Sequence, residues 1–368
     1  MLHRNDDFAL PDPFGDDWPG SLAPRSPSIW ADAGRFDPAA IPRRPWIVPG
    51  LLLRGSVTLA TGAGASGKST VATAVAVTGA VGTPLGRFKP ANPFRTLLFN
   101  AEEDQDEQRR RIAAAALALG TPLDTAAESI VRAGPAETAL LFEVLAERGT
   151  VHETRAMAAL RTLIDRHQPD VIVLDPLVEL HSAEENANTA LRAVIAALRT
   201  IAQQHNAAVL LVHHSRKGGQ PGDQDSARGA SAIASAARLH LTVSKMSREE
   251  AAGFGLPETH TRNFLRLDAG KTNYAEPFEA DWFELLPIEL PNGDWVAAAR
   301  PWRPPAPPTA DPEMLARAEA ALRQGWGGEP CSRARNSAAF FGDALSAAGI
   351  PEAAHRPVLN ALIGAGST

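Results

Sequence analysis

Ser56-Val-Thr-Leu-Ala-Thr-Gly62-Ala-Gly-Ala-Ser-Gly67-Lys68-Ser69-Thr70 is the stretch on which the reading of this 368-residue chain turns. Residues 56–61 form a short apolar strand pattern. A glycine-rich turn follows, and an Ala/Val-rich helix pattern runs from Lys68 to Ala80. The turn fits G-x-x-x-x-G-K-[ST] between a strand and a helix, the context this motif requires. Glycines there let successive backbone N–H groups point inward at phosphate oxygens, and the helix N-terminus adds favourable partial charge. Gly62, Ala63, Gly64, Ala65, Ser66, Gly67, Lys68, Ser69 and Thr70 are therefore the expected polyphosphate cradle. In it Lys68 reaches the outer phosphates and Ser69 ligates Mg²⁺. ATP and Mg²⁺ are the expected cofactors.

Downstream, strand and helix patterns alternate. Strands are expected at 96–100, 129–132, 171–175, 208–213, 239–244 and 263–267. Helices are expected at 104–119, 154–167 and 186–205, and a hairpin at 287–297 turning at Asn292–Gly293. Continuous apolar strands separated by helices predict an α/β fold, with a mostly parallel sheet covered on both faces. Residues 1–40 are acidic and Pro-rich and read as disordered. Residues 41–300 read as one ATPase domain and the six-proline stretch 301–312 as a stiff linker. Residues 313–368 read as a small helical module resembling the start of a winged helix, with no strand pair left to form the wing.

The bulk numbers narrow the function classes. Apolar residues make up 44% and charged residues 21%, a globular balance. Net charge is −6, of which residues 1–40 supply −4, so no overall basic field serves nucleic acid. Contact with DNA would need a local patch or a ring of subunits. Cys331 is the only cysteine, which excludes an intrachain disulfide. With no apolar leader at the N-terminus and no long apolar run, the chain reads as cytoplasmic. Only five of the 36 basic residues are lysines. Three of them, Lys68, Lys217 and Lys271, fall in motifs.

Further motifs carry chemistry. Asp175 ends the strand Val171-Ile-Val-Leu-Asp175, where a carboxylate can hold Mg²⁺. Phe99-Asn-Ala-Glu102-Glu103-Asp104 follows another strand. Glu102, nearest the strand end, is the candidate general base, while Asp104 and Asp106 are expected to cap a helix. His213 and His214 end a third strand. His214 is the candidate γ-phosphate sensor and His213 its structural neighbour; a zinc reading lacks further ligands nearby. The polar, Gly-rich stretch 215–226 begins with Arg216 and Lys217, candidate DNA contacts. Arg228, Lys271 and, as a lesser choice, Arg238 are candidate fingers for a neighbouring active site.

The order of these motifs, with VHHSRK followed by SARGASA and then Lys271-Thr-Asn-Tyr274, resembles the RecA-like ATPases of the plasmid RepA type, which are hexameric replicative helicases. The resemblance covers residues 45–285. It implies a homo-hexameric ring with ATP at each interface and a plasmid or phage setting with replication partner proteins. Lys68, Ser69, Glu102, Asp175 and His214 would act within one subunit, Arg228 and Lys271 across the interface, and loops would grip single-stranded DNA. Those loops hold few aromatics, so the grip would be electrostatic and salt-sensitive. An ATPase that gates assembly on DNA without unwinding is the alternative. A small-molecule kinase is disfavoured, because no Arg-rich lid follows the cradle.

Overall fold

Alternate residues of the central strands serve two different cores. The computed structural model describes residues 34–362, except 146–149, 184–187, 215–235, 273, 275–279, 306–311, 328, 332–339, 352–353, 356–357 and 360–361. Two units are distinguished, Met1–Arg43 and Arg44–Thr368. In the first, a short 3-10 turn at Pro38–Ala40 is capped by Asp37, whose carboxylate accepts from the Ala39 amide.

The second unit is built on a nine-stranded sheet. Strands β1 (Trp46–Val48) and β2 (Leu52–Leu53) form a small separate pair. The large sheet contains β3 (Val57–Gly62), β4 (Thr96–Asn100), β5 (Ile130–Ala133), β8 (Val171–Asp175), β9 (Ala208–His214) and β10 (Leu239–Lys245), all parallel. An antiparallel extension, β11 (Phe264–Thr272), β12 (Asp281–Glu289) and β13 (Trp295–Trp302), completes it. The order is β13-β12-β11-β10-β3-β9-β8-β4-β5. A small hairpin, β6 (Phe142–Leu145) with β7 (Thr150–Glu153), stands apart from it.

Helices α1 (Lys68–Val81), α2 (Gln105–Leu119) and α3 (Leu123–Ser129) share one core with Ala60, Val171, Val173, Leu210 and Val212. Helices α4 (Arg155–His167) and α5 (Asn188–Gln204) share the other with Val57, Leu59, Ile172, Leu174, Val209 and Leu211. A parallel strand covered on both faces is buried along its length, and β3 and β8 are buried at every position, as are Ala208–Val212 of β9, with polar residues concentrated at the C-terminal ends of β8 and β9. This is the helix-flanked, mostly parallel α/β fold expected from sequence. Helix α6 (Arg248–Gly253) packs over an aromatic cluster of Phe254, Phe264, Trp282 and Trp302. Helices α7 (Pro312–Gln324) and α8 (Phe341–Ala347) share a small core of Ala318, Leu345 and Ile350.

Two strand ends and one hairpin stand out against expectation. The strand expected to stop at Leu267 runs to Thr272, so Lys271 lies inside β11 opposite His240 rather than after a strand. Asp268 breaks the apolar pattern but is buried against Arg266, and Gly270 leaves room for the His240 ring. Pro301 and Trp302, expected in the linker, complete β13 because the Trp302 ring packs against Phe254 and Phe264. The β6–β7 hairpin was not anticipated. Leu141 and Phe142, at its start, are wholly buried.

Helix α1 is enclosed on nearly every side, and Gly79 within it leaves no room for a side chain. A Cβ on Gly79 would lie 2.0 Å from Cζ of Phe94 and 2.5 Å or less from the neighbouring ring carbons. A rigid ring cannot yield that distance. Gly79→Val should therefore cost about 3 kcal/mol, at the upper end of ordinary overpacking. Urea denaturation midpoints would show it, and a change under about 0.5 kcal/mol would mean that the ring moves freely.

Candidate functional site

The cradle forms because two of its residues have no alternative. A side chain on Gly62 would meet the Val243 carbonyl at 2.2 Å. Gly67 is left-handed at φ 93°, and a Cβ there would meet Leu265 at 2.5 Å. Gly67 stands at the N-cap of α1 with no side-chain cap and no acid in the first turn. The leading amides of α1 thus keep their donors for another acceptor.

Lys68 is 4% exposed. Its Nζ donates to the carbonyls of Gly62 (3.0 Å) and Ala63 (2.9 Å) and lies 3.2 Å from Nδ1 of His214. An ammonium has only donors, so Nδ1 accepts and the proton of a neutral His214 sits on Nε2. Burial lowers the Lys68 pKa to about 8, against the upward pull of Asp175 and Glu102.

Asp175 lies at the end of β8, 3% exposed. Burial raises its pKa, while a hydrogen bond from the Ser69 hydroxyl and the charge of Lys68 act the other way. Its strand neighbour is Asn100. The Asn100 side-chain oxygen accepts the amides of both Glu102 and Glu103 at 2.9 Å, and the Ala101 amide donates to the Asp175 carbonyl at 2.8 Å. The turn carrying the two glutamates is therefore tied to the Mg²⁺-candidate strand.

The glutamates differ. Glu102 is exposed and acts electrostatically on Lys68 and Asp175. Glu103 is half-buried and paired with Arg111 at 2.6 Å. Its pKa is raised to about 7, first by burial, with Arg111 opposing. Asp104 caps α2 as expected, accepting from the Glu107 amide at 2.7 Å.

Lys68, Ser69, Glu102, Asp175 and His214 thus converge. His213 sits one place back, opposite Thr61, and is half-buried. Arg216, Lys217 and Arg228 lie outside the described residues. For Lys271 only its backbone place in β11 is described, and Arg238 is exposed just before β10. Sequence reasoning overlooked Asn100, Glu103 and Arg111. The signal was available. An Asn followed by two acids favours a side-chain-capped turn, and positions 103, 107 and 111 recur at helical spacing.

The donor set suits a nucleotide polyphosphate and its cation. Ser66 Oγ is buried and unpartnered, aimed across the same turn at Gly62. Uncapped helix amides and one ammonium complete an anion site, and a hydroxyl beside a carboxylate suits a hard divalent cation. Among the described residues no helix is long and apolar enough to cross a membrane.

A family model described as an AAA domain matches residues 23–220. Among solved structures, the KaiC-like protein PH0186 of Pyrococcus horikoshii OT3 is 14% identical, with a TM-score of 0.43 over 69% of this chain and 94% of that one. The family model takes in the cradle, the paired glutamates, the Asp175 strand and His214, more than half of the chain. On that match, the protein belongs to the AAA domain family of nucleotide-binding P-loop ATPases.

Proposed function

We propose that this protein hydrolyses ATP with Mg²⁺ and couples turnover to single-stranded DNA, in the manner of RepA-type ring helicases. The observation that carries the coupling is the 3.2 Å contact between Lys68 and His214. Lys68 touches the outer phosphates in such a site, and His214 is the last residue of β9 before residues 215–226. A change in what Lys68 holds therefore reaches the start of that segment through one hydrogen bond.

The remaining roles follow from the chemistry of each group. Ser69 and Asp175 hold Mg²⁺, which when bound neutralises charge on the phosphates. Glu102 orients and deprotonates the attacking water. Arg228 and Lys271 act as fingers from a neighbouring subunit of a hexameric ring. Arg216 and Lys217 contact the DNA backbone, and replication proteins load the ring.

The test is the ATPase rate with and without single-stranded DNA. Stimulation of severalfold is expected at about 50 mM salt, fading by about 200 mM as phosphate contacts are screened. His214→Asn should bring the stimulated-to-basal ratio close to one. A rate indifferent to DNA at low salt would end the coupling reading. Strand displacement then separates a translocating motor from an ATPase that gates assembly on DNA.

A further inference from the structure

We propose that Arg111 is a positioning residue for hydrolysis: it draws Glu103 towards α2 and so reserves the carboxylate position beside Lys68 and Asp175 for Glu102. The proposal rests on the reading that Glu102 is the general base.

Two adjacent acids on one turn present a problem of choice. Both amides are pinned to the same Asn100 oxygen, so the backbone does not distinguish them. The side chains are separated by what lies on α2. That helix carries three consecutive arginines with different partners. Arg109 pairs with Asp106 at 2.7 Å, exposed to solvent. Arg110 turns to Asp294 at 2.7 Å, on the β12–β13 hairpin. Arg111 alone of the three turns back to the site, reaching Glu103 at 2.6 Å and Glu107 at 3.3 Å.

The charges around Glu103 show why this matters. Asp175, Glu107 and Glu102 all repel it, and Arg111 is the cation acting on it. Without Arg111, a half-buried carboxylate is left among three others. The site then offers Lys68 as the alternative cation, and Lys68 is the group needed for phosphate. A carboxylate there would displace Glu102 and occupy the ammonium. Arg111 prevents this by charge and by the direction of its guanidinium, which holds a carboxylate through fixed donors.

The experiment measures steady-state ATP hydrolysis by the full-length chain in Arg111→Gln, Arg111→Lys, Glu103→Gln and the Arg111→Gln/Glu103→Gln double variant. Arg111→Gln should lose about tenfold in kcat, the effect of removing one partly buried opposite charge. Arg111→Lys should recover most of that loss. Glu103→Gln should lose no more than about threefold, because it has no charge to misplace. The double variant should return to the Glu103→Gln level, since the harm of losing Arg111 acts through Glu103. Arg109→Gln should stay within about twofold of the parent, as expected for an exposed pair. Melting temperatures of all variants identify any that fail to fold; if Arg111→Gln does, Arg111→Lys and Glu103→Gln carry the comparison. A double variant as slow as Arg111→Gln, or slower, would overturn the proposal. Glu102→Gln is the separate check. If it hydrolyses ATP at the parental rate, Glu102 is not the base, whatever the Arg111 series shows.

Discussion

Lys68→Met should abolish ATP turnover and yet leave the nucleotide-free protein at least as stable as its parent. The loss of activity follows from position. Lys68 is the ammonium of the cradle, and methionine supplies no charge for the outer phosphates. A drop of at least about a thousandfold is expected where a preorganised charge is removed from such a site. The stability follows from burial. Desolvation brings the Lys68 pKa from 10.5 to about 8, so the folded state bears a cost on the order of 3 kcal/mol for keeping the charge near neutral pH. Methionine removes that cost. It also removes two hydrogen bonds to loop carbonyls, each worth about 1 kcal/mol. Its thioether suits the apolar surroundings of Val71, Leu241 and Val243. The net is a gain of about 1 kcal/mol.

The sign can be checked with pH. A base whose folded pKa lies below its unfolded value makes the native state bind fewer protons between the two. The penalty is complete below about pH 8 and is relieved as pH rises towards 10.5. The parent should therefore gain stability relative to Lys68→Met across that window. Urea midpoints at pH 7 and pH 10 read the difference directly. A variant several degrees less stable at pH 7 would show that Lys68 supports the loop more than burial penalises it.

How much of this was legible in the sequence depended on the kind of signal. Strands buried on both faces announced themselves, since Leu97–Phe99 of β4 and Val171–Leu174 of β8 are unbroken apolar runs that serve two cores. The cradle was legible because its glycines are forced by sterics, and Gly62 and Gly67 both meet such limits. The long β11 was not, because a buried Asp268 becomes acceptable only when Arg266 lies beside it. Nor was the β6–β7 hairpin, whose polar residues Glu143, His152 and Glu153 are exposed and left only Leu141 and Phe142 to mark it. In the site, Glu102 could be chosen as nearest the strand end. The different settings of Glu102 and Glu103 could not, because Glu103 is paired with Arg111, about two helix turns beyond the N-cap Asp104, and pairing direction is a tertiary fact. The contact of Lys68 with His214 spans 146 positions and has no local signature.

Asp175→Asn should cost about a hundredfold or more in kcat while leaving nucleotide binding nearly intact. Lys68 and the loop amides, the groups proposed to hold phosphate, are untouched by the change. The asparagine oxygen can still accept from Ser69, so the shape of the site persists. What disappears is the negative charge that the proposed Mg²⁺ site of hydroxyl and carboxylate requires. The Mg²⁺ concentration for half-maximal turnover should therefore rise by at least tenfold. Asp104→Asn is the matched control, because asparagine caps a helix as well as aspartate does, and it should leave both quantities unchanged. Stability supplies an independent reading. Burial raises the Asp175 pKa above its unfolded value, so the native state holds a proton that the unfolded chain has already released. Stability from this group therefore falls as pH rises above the unfolded value. Asparagine has nothing to ionise, and the variant should match the parent near pH 4 and exceed it at pH 8. If instead Asp175→Asn melts earlier at pH 8, the electrostatic attraction between Asp175 and Lys68 outweighs the burial of both, and the site is a stabilising element rather than a strained one held ready for its ligand.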